Sequence, residues 1–242
     1  MIRNAHDARP DASIFDNFPA ELKTLEQFAV HKKKVPYNPL TGYPAKSTTP
    51  KSWTDFHTAA GAYRSGGYDG LSFAFNDNGI VGVDLDHVYS PTTGTMQPKA
   101  AEIIQRLDSY TEFSPSGTGF HIYVKGNIPT DGRKHTALNF EMYKAKRFFT
   151  ITGNVYNGMN ILRDRSREIM ELYNELFPPQ PVRERPPLPA GADADMMAKG
   201  LKHDRVLIAL WNGDRPSGDE SADDLALMNK LAYWCNCDAA LM

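Results

Sequence analysis

Short apolar runs of strand length fill the first three quarters of the chain, and apolar positions at helical spacing dominate its end. Leu71–Phe75 and Ile80–Leu85 flank Asn76-Asp77-Asn78-Gly79, a cluster of turn-forming residues that predicts a hairpin. Lys99–Leu107 predicts a helix. Tyr110–Phe113 and Phe120–Val124 predict strands on either side of a Ser/Gly turn. Phe140–Tyr143 and Arg147–Ile151 predict a further strand pair, and Arg165–Phe177 an amphipathic closing helix. Hairpins followed by helices, without regular strand–helix alternation, predict an α+β domain with a mostly antiparallel sheet. No internal repeat is visible.

The pattern changes after residue 177. Residues 178–189, PPQPVRERPPLP, hold six of the 17 prolines. Proline at that density fixes φ and removes backbone donors, which predicts a stiff linker over 178–192 between a domain at 1–177 and a helical domain at 193–242. Two helical patterns follow, at 195–211 and 219–234, the second opening on an acid-rich turn suited to a helix N-terminus. The sequence stops at Met242 inside an apolar pattern, which reads as the N-terminal fragment of a longer protein.

Composition narrows the class. Hydrophobic residues make up 41% and charged residues 23% of 242, values of a globular chain and not of a disordered one. No run approaches the length of a membrane span, and MIRNAHDARPDAS has no apolar core of a signal peptide, so the expectation is a soluble, cytoplasmic protein with no membrane partner. Cys235 and Cys237 are too close for a useful bridge and too few for a disulfide scaffold or, without further ligands, a zinc site. Net charge is −2, with 20 basic against 19 acidic residues before 178 and 7 against 10 after it. No basic excess announces nucleic-acid binding, so local chemistry has to carry any such reading. The basic segment His31-Lys32-Lys33-Lys34 reads first as a solvated charge run and only second as a template contact.

Three segments carry candidate chemistry. In Val81-Gly82-Val83-Asp84-Leu85-Asp86-His87, strand alternation puts Asp84 and Asp86 on one face and Val83 and Leu85 on the other. Paired carboxylates raise each other's pKa unless a cation sits between them, and oxygen donors suit Mg²⁺ or Mn²⁺; the plainer alternative is two solvated acids at a strand end. In Phe113-Ser114-Pro115-Ser116-Gly117-Thr118-Gly119-Phe120-His121, Gly117 and Gly119 permit close backbone approach, Ser114 and Ser116 add donors, and His121 starts the next strand. That outlines a phosphate cradle, or else an ordinary Gly-rich turn; the Walker pattern is missing. In Asn139-Phe140-Glu141-Met142-Tyr143, Glu141 faces away from its apolar neighbours, towards solvent or, if it shares a face with Asp84 and Asp86, towards a three-carboxylate site. Arg147 opens the next strand, either as a phosphate partner or as a surface residue.

Taken together, Asp-x-Asp, then Ser-Gly-x-Gly-x-His, then a strand Glu resembles the three motifs of the archaeo-eukaryotic primase superfamily, most closely the primase-polymerases of phages, plasmids and integrated elements. The context agrees: Lys34-Val35-Pro36-Tyr37-Asn38-Pro39, Thr41-Gly42, Trp53, Gly66-Gly67-Tyr68-Asp69-Gly70-Leu71 and RFFTITGN at 147–154 are similar to that family. The likeness spans roughly residues 25–177.

The resemblance implies an RNA-recognition-motif-like, mostly antiparallel catalytic sheet with an N-terminal α/β module, followed by a small all-helical domain and, in a full-length chain, a helicase domain. It implies a two-metal Mg²⁺ or Mn²⁺ site on Asp84, Asp86 and Glu141, and nucleotide phosphate held by Ser116 and His121 within the turn of Ser114, Gly117 and Gly119. Some relatives carry lysine where Thr118 stands; Lys134 or Arg147 is then expected to supply that contact. The implied activity is primer synthesis and extension on single-stranded DNA, at a primer terminus, from dNTPs or NTPs. Two other classes stand beside it: a non-catalytic DNA-binding replication-initiator module, which three retained acids weigh against, and a metal-dependent nuclease, which the Ser/His cradle fits less well than it fits a triphosphate.

Overall fold

The computed structural model describes residues 13–178, 192–214 and 216–235, and the chain divides into two compact units, Met1–Pro179 and Gln180–Met242. The expected linker falls almost wholly on residues outside those described. In chain order the first unit contains α1 (Ala20–Lys23), β1 (Phe28–Lys32), β2 (Val35–Tyr37), α2 (Phe56–Arg64), β3 (Gly70–Asn76), β4 (Ile80–Leu85), β5 (Tyr89–Ser90), β6 (Thr95–Met96) and α3 (Pro98–Leu107). It continues with β7 (Thr111–Phe113), β8 (Phe120–Lys125), β9 (Gly132–His135), β10 (Phe140–Tyr143), β11 (Ala145–Ile151) and α4 (Ser166–Leu176).

These strands build a four-stranded sheet, β11-β3-β1-β2, and a five-stranded sheet, β7-β8-β4-β10-β9, every pairing antiparallel, beside the small β5-β6 ribbon. The α+β class with antiparallel sheets is therefore what the sequence predicted. Two apolar clusters define the layers. Val81, Val83 and Leu85 of β4 join Ile122 of β8, Met142 of β10, Ile103 and Leu107 of α3 and Ile169 and Leu172 of α4 on one face of the larger sheet. Its other face meets the smaller sheet through Ile80, Tyr123, Phe73, Phe75 and Phe149. Gly82 permits that contact, because a Cβ there would lie 2.2 Å from the Phe75 ring and 2.7 Å from Phe149.

Two expected pairings are corrected. The strands around Asn76–Gly79 exist, but β3 and β4 belong to different sheets, and so do β10 and β11. Instead β3 pairs with β11 and β4 with β10, so two ribbons run side by side from one sheet into the other. The crossing points are tied: the Asp77 amide donates to the Lys144 carbonyl at 2.7 Å, and the Lys144 ammonium lies 3.1 Å from the Asp77 carboxylate. The bend is local, with Asp77, Gly79 and Lys146 at φ of 50°, 82° and 58° and a register shift between Ala145 and Arg147. A turn that reads as a hairpin is here a corner between stacked sheets, since β4 is buried along its whole length.

The second unit holds α5 (Ala192–His203), α6 (Arg205–Trp211) and α7 (Glu220–Trp234). The pattern at 195–211 is thus two helices and not one, because Asp204 ends the first and caps the second, its Oδ1 accepting from the Val206 and Leu207 amides at 3.1 Å. Its Oδ2 accepts from Lys230 at 2.7 Å and from the Trp234 indole at 3.0 Å, tying α7 to the cap. Leu207, Leu210 and Leu231 are buried in this unit. Among the described residues no helix is long and apolar enough to cross a membrane.

Candidate active site

Register assembles the site. In the larger sheet Glu112 of β7 stands opposite His121 of β8, His121 opposite Asp84 of β4, Asp84 opposite Glu141 of β10, and Glu141 opposite Lys134 of β9. Directly opposed residues of antiparallel strands share a face. Because Val83 and Leu85 occupy the helix side, this row looks towards the four-stranded sheet. It reads carboxylate, imidazole, carboxylate, carboxylate, ammonium.

His121 is the most constrained member. Its ring stacks on Phe149 with centroids 4.9 Å apart, and Nδ1 lies 3.0 Å from the Thr150 carbonyl and 3.6 Å from Oε1 of Glu112. A carbonyl only accepts, so Nδ1 carries the proton and Nε2 is turned towards Asp84, 3.8 Å away. Burial pushes the imidazole pKa down, but Glu112, Asp84 and the Thr150 carbonyl outweigh it and leave the value above the ordinary one. Glu112 is fully buried and accepts from the Tyr110 hydroxyl at 2.7 Å and the Thr152 and Gly153 amides at 3.1 and 2.8 Å. Sequence reasoning missed this residue. The available signal was a lone acid in the predicted strand Tyr110–Phe113, just ahead of the cradle.

The acids differ in environment. Asp84 is buried, and its Oδ1 has no hydrogen-bond partner. Desolvation raises its pKa; His121 opposes that, while Asp86 and Glu141 add to it. Asp86 lies one residue beyond β4, exposed, its amide still bonded to the Asn139 carbonyl at 2.9 Å. Glu141 is buried, but Lys134 holds its Oε1 at 2.5 Å, and the Tyr143 hydroxyl and Arg147 hold Oε2 at 2.7 and 3.3 Å. Desolvation raises its pKa, yet these three partners prevail and keep it below the usual carboxylate range. The same burial and the Glu141 bond push the Tyr143 phenol up to about 12.

The Ser/Gly turn is tight, as its glycines require. Gly117 sits at φ 70° and closes a turn onto the Ser114 carbonyl at 2.9 Å, while a Cβ on Gly119 would fall 2.2 Å from the Leu85 carbonyl oxygen. The hydroxyls of Ser114, Ser116 and Thr118 form a chain with steps of 3.1 and 2.8 Å, ending at His87 Nδ1, 3.4 Å from Thr118.

A cleft of about 580 Å³ between the sheets gathers Asp84, Asp86, Ser114, Ser116, His121 and Arg147, with Lys34, Ser47 and Phe148 on its far wall. Glu141 and Lys134 do not line it; they pair with each other one strand further along the row. Asp84 and Asp86 suit a hard divalent cation, since both offer oxygen and Asp84 Oδ1 is a buried acceptor with nothing to accept from. Glu141 fits as a ligand only after exchanging Lys134, Tyr143 and Arg147, and among the described residues no three His, Cys, Asp or Glu side chains are already grouped around a common metal position.

Fold and cleft together define a two-sheet antiparallel α+β domain whose inter-sheet cleft carries paired carboxylates, an oriented imidazole and a hydroxyl-rich turn. No family model matches the chain. The chain is similar to the DNA primase-polymerase of Nitratiruptor phage NrS-1, with 30% identity over 236 residues covering 91% of this chain. That supports a primase-polymerase relationship. The chain spans about a third (32%) of that relative's length.

Proposed function

We propose that this chain carries the catalytic part of a primase-polymerase, joining nucleotides on a single-stranded DNA template by metal-dependent nucleotidyl transfer, within the archaeo-eukaryotic primase superfamily. The observation that carries this reading is the cleft itself. It brings a carboxylate pair from one segment into one space with a serine-rich turn and an imidazole, Nε2 presented inward, from another, and Arg147 joins them from a third.

Asp84 and Asp86 would hold Mg²⁺ or Mn²⁺, with Glu141 completing the set once released from Lys134. When bound, such ions lower the pKa of an attacking 3′-hydroxyl and neutralise a leaving pyrophosphate. Ser114 and Ser116 donate to phosphate oxygens and so orient the nucleotide. His121 supplies a charge-assisted donor from Nε2, kept in place by the Thr150 carbonyl, Glu112 and the Phe149 ring. Arg147 stacks its guanidinium 4.9 Å above the Tyr143 ring, where it bridges Glu141 and the cleft. The test is incorporation of labelled nucleotide by the 242-residue chain on single-stranded template with Mn²⁺, with and without a primer. Loss in Asp84→Asn and Asp86→Asn, with extension in the wild type, supports the reading. Strand cleavage in place of synthesis would assign the same carboxylates to a nuclease, and DNA binding without either activity would leave an initiator module.

A further inference from the structure

The β1–β2 hairpin carries an unusual turn. Its register pairs Lys32 with Val35, leaving Lys33-Lys34 as a two-residue loop, and both residues are left-handed, at φ 48° and 65°. Loops of this kind favour Asn-Gly or Gly-Gly, because a left-handed backbone crowds any Cβ. Lysine at both positions is a poor choice for the backbone. Such strain persists only where neighbouring structure enforces it. Here Asp69 does so, its Oδ2 accepting from the Lys33 amide at 2.6 Å while its own amide donates to the His31 carbonyl at 2.8 Å.

The turn projects one of its side chains into useful company. Lys34 lines the same cleft as Asp84, Asp86, Ser114, Ser116 and His121, although it comes from the other sheet. The other cations near that cleft are engaged: Arg147 and Lys134 by Glu141, and Lys146 by Asp131 at 2.8 Å. Lys34 is exposed and forms no ion pair among the described residues. An ammonium with no ion pair among the described residues, carried into the cleft by a backbone held in place and sharing that cleft with a hydroxyl-rich turn, fits a phosphate.

We propose that Lys34 is a phosphate-contact residue of the cleft, held out by the strained Lys33-Lys34 turn to meet the phosphate of an incoming nucleotide or of a nucleic-acid strand. This rests on the nucleotidyl-transfer reading, and the measurement is of binding, so the two can fail separately. The variants are Lys34→Asn and Lys33→Asn, each relieving the left-handed backbone while removing one charge, and Lys34→Arg, which keeps the charge. The 242-residue chain is titrated with a non-hydrolysable deoxynucleoside triphosphate and Mg²⁺ by calorimetry, and separately with a labelled single-stranded oligonucleotide by anisotropy.

The expected result is that Lys34→Asn weakens one ligand by about 10-fold or more, as for a lost charge-assisted contact, while Lys33→Asn binds like wild type and Lys34→Arg restores most of the loss. Whichever ligand responds is the source of the phosphate. Both asparagine variants should melt at or above the wild-type temperature, so weakened binding is not unfolding. Wild-type affinity for both ligands in Lys34→Asn overturns the assignment, as do equal losses in the two asparagine variants. If Asp84→Asn abolishes incorporation while Lys34→Asn binds normally, Lys34 falls and the catalytic reading stands; wild-type protein binding neither ligand overturns both.

Discussion

Replacing Asp84 by asparagine is expected to give a protein that is more stable and inactive. Oδ1 of Asp84 is a buried acceptor with no partner, and a buried group left unsatisfied costs about 1–3 kcal/mol, more if charged. Burial, reinforced by Asp86 and Glu141 and opposed by His121, raises the Asp84 pKa, so the fold prefers the protonated acid. The sign follows from linkage. The penalty is absent below the unfolded-state pKa of about 3.9, grows as pH rises through the raised folded value, and is complete above it. Asparagine keeps an unpaired oxygen but escapes the larger cost of the buried charge. The opposing effect is loss of the His121 contact, but at 3.8 Å it is long, and the imidazole keeps Glu112 at 3.6 Å and Thr150 at 3.0 Å, so no cation is stranded. The gain should therefore be about 1–3 kcal/mol at about pH 7.5, or roughly 2–12 °C in Tm for a domain this size, vanishing near pH 3.5. Calorimetric melts in chelator at both pH values measure it. Added Mn²⁺ should then raise the wild-type Tm and leave Asp84→Asn unmoved. A variant less stable than wild type in chelator at the higher pH would refute the reasoning, because it would make the Asp84–His121 pair a net stabilising contact.

Other outcomes follow from the neighbouring residues. His121→Ala should weaken a non-hydrolysable nucleotide by roughly 10- to 100-fold in calorimetry while the fold persists, as expected for one lost charge-assisted donor. Glu112→Gln should destabilise by about 2–3 kcal/mol, seen as a lower urea midpoint at unchanged slope, because a carboxamide sets an NH₂ against donors that both carboxylate oxygens now satisfy. Tyr110→Phe, which removes only one of those donors, should cost less. In the helical unit the bonds from Lys230 and Trp234 hold the Asp204 pKa down to about 2. Its contribution is complete above about pH 4 and lost as pH falls towards 2, worth about 1–2 kcal/mol for a side chain 14% exposed. Trp234 fluorescence should follow that loss in wild type and not in Asp204→Asn.

Strand positions were legible because β4, β8, β10 and β11 are short apolar runs bounded by turn residues, and the alternation in Val83-Asp84-Leu85 correctly separated core from cleft. Sheet membership was not. Asn76–Gly79 has the composition of a hairpin turn, and nothing local distinguishes a hairpin from a corner. The distinction lies in Gly82, Phe75 and Phe149, which bring two sheets into contact and come from three separate segments. The row from Glu112 to Lys134 was illegible for the same reason, since it depends on four strand registers. Lys34 was read as part of a solvated run because its place opposite the Ser/Gly turn depends on the second sheet.

The order of charges along that row explains why Asp84 is left with a buried, open acceptor. Glu112 accepts from three donors and also faces His121, so its carboxylate is committed on that side of the row. Glu141 is satisfied from the other side by Lys134, Tyr143 and Arg147. Asp84 lies between two residues already committed elsewhere, and Asp86 beside it adds repulsion. A carboxylate left so in a packed sheet is destabilising, and every outer position of the row is arranged in a way that does not relieve it. A fold selected for stability alone would place an amide or an apolar residue there. An incoming positive charge at Asp84 and Asp86 relieves the strain directly, and a second positive charge near Glu141 would compete with Lys134. If the proposed cations bind, the row predicts an order: the Asp84–Asp86 side would fill first, and the Glu141 side only as Lys134 lets go.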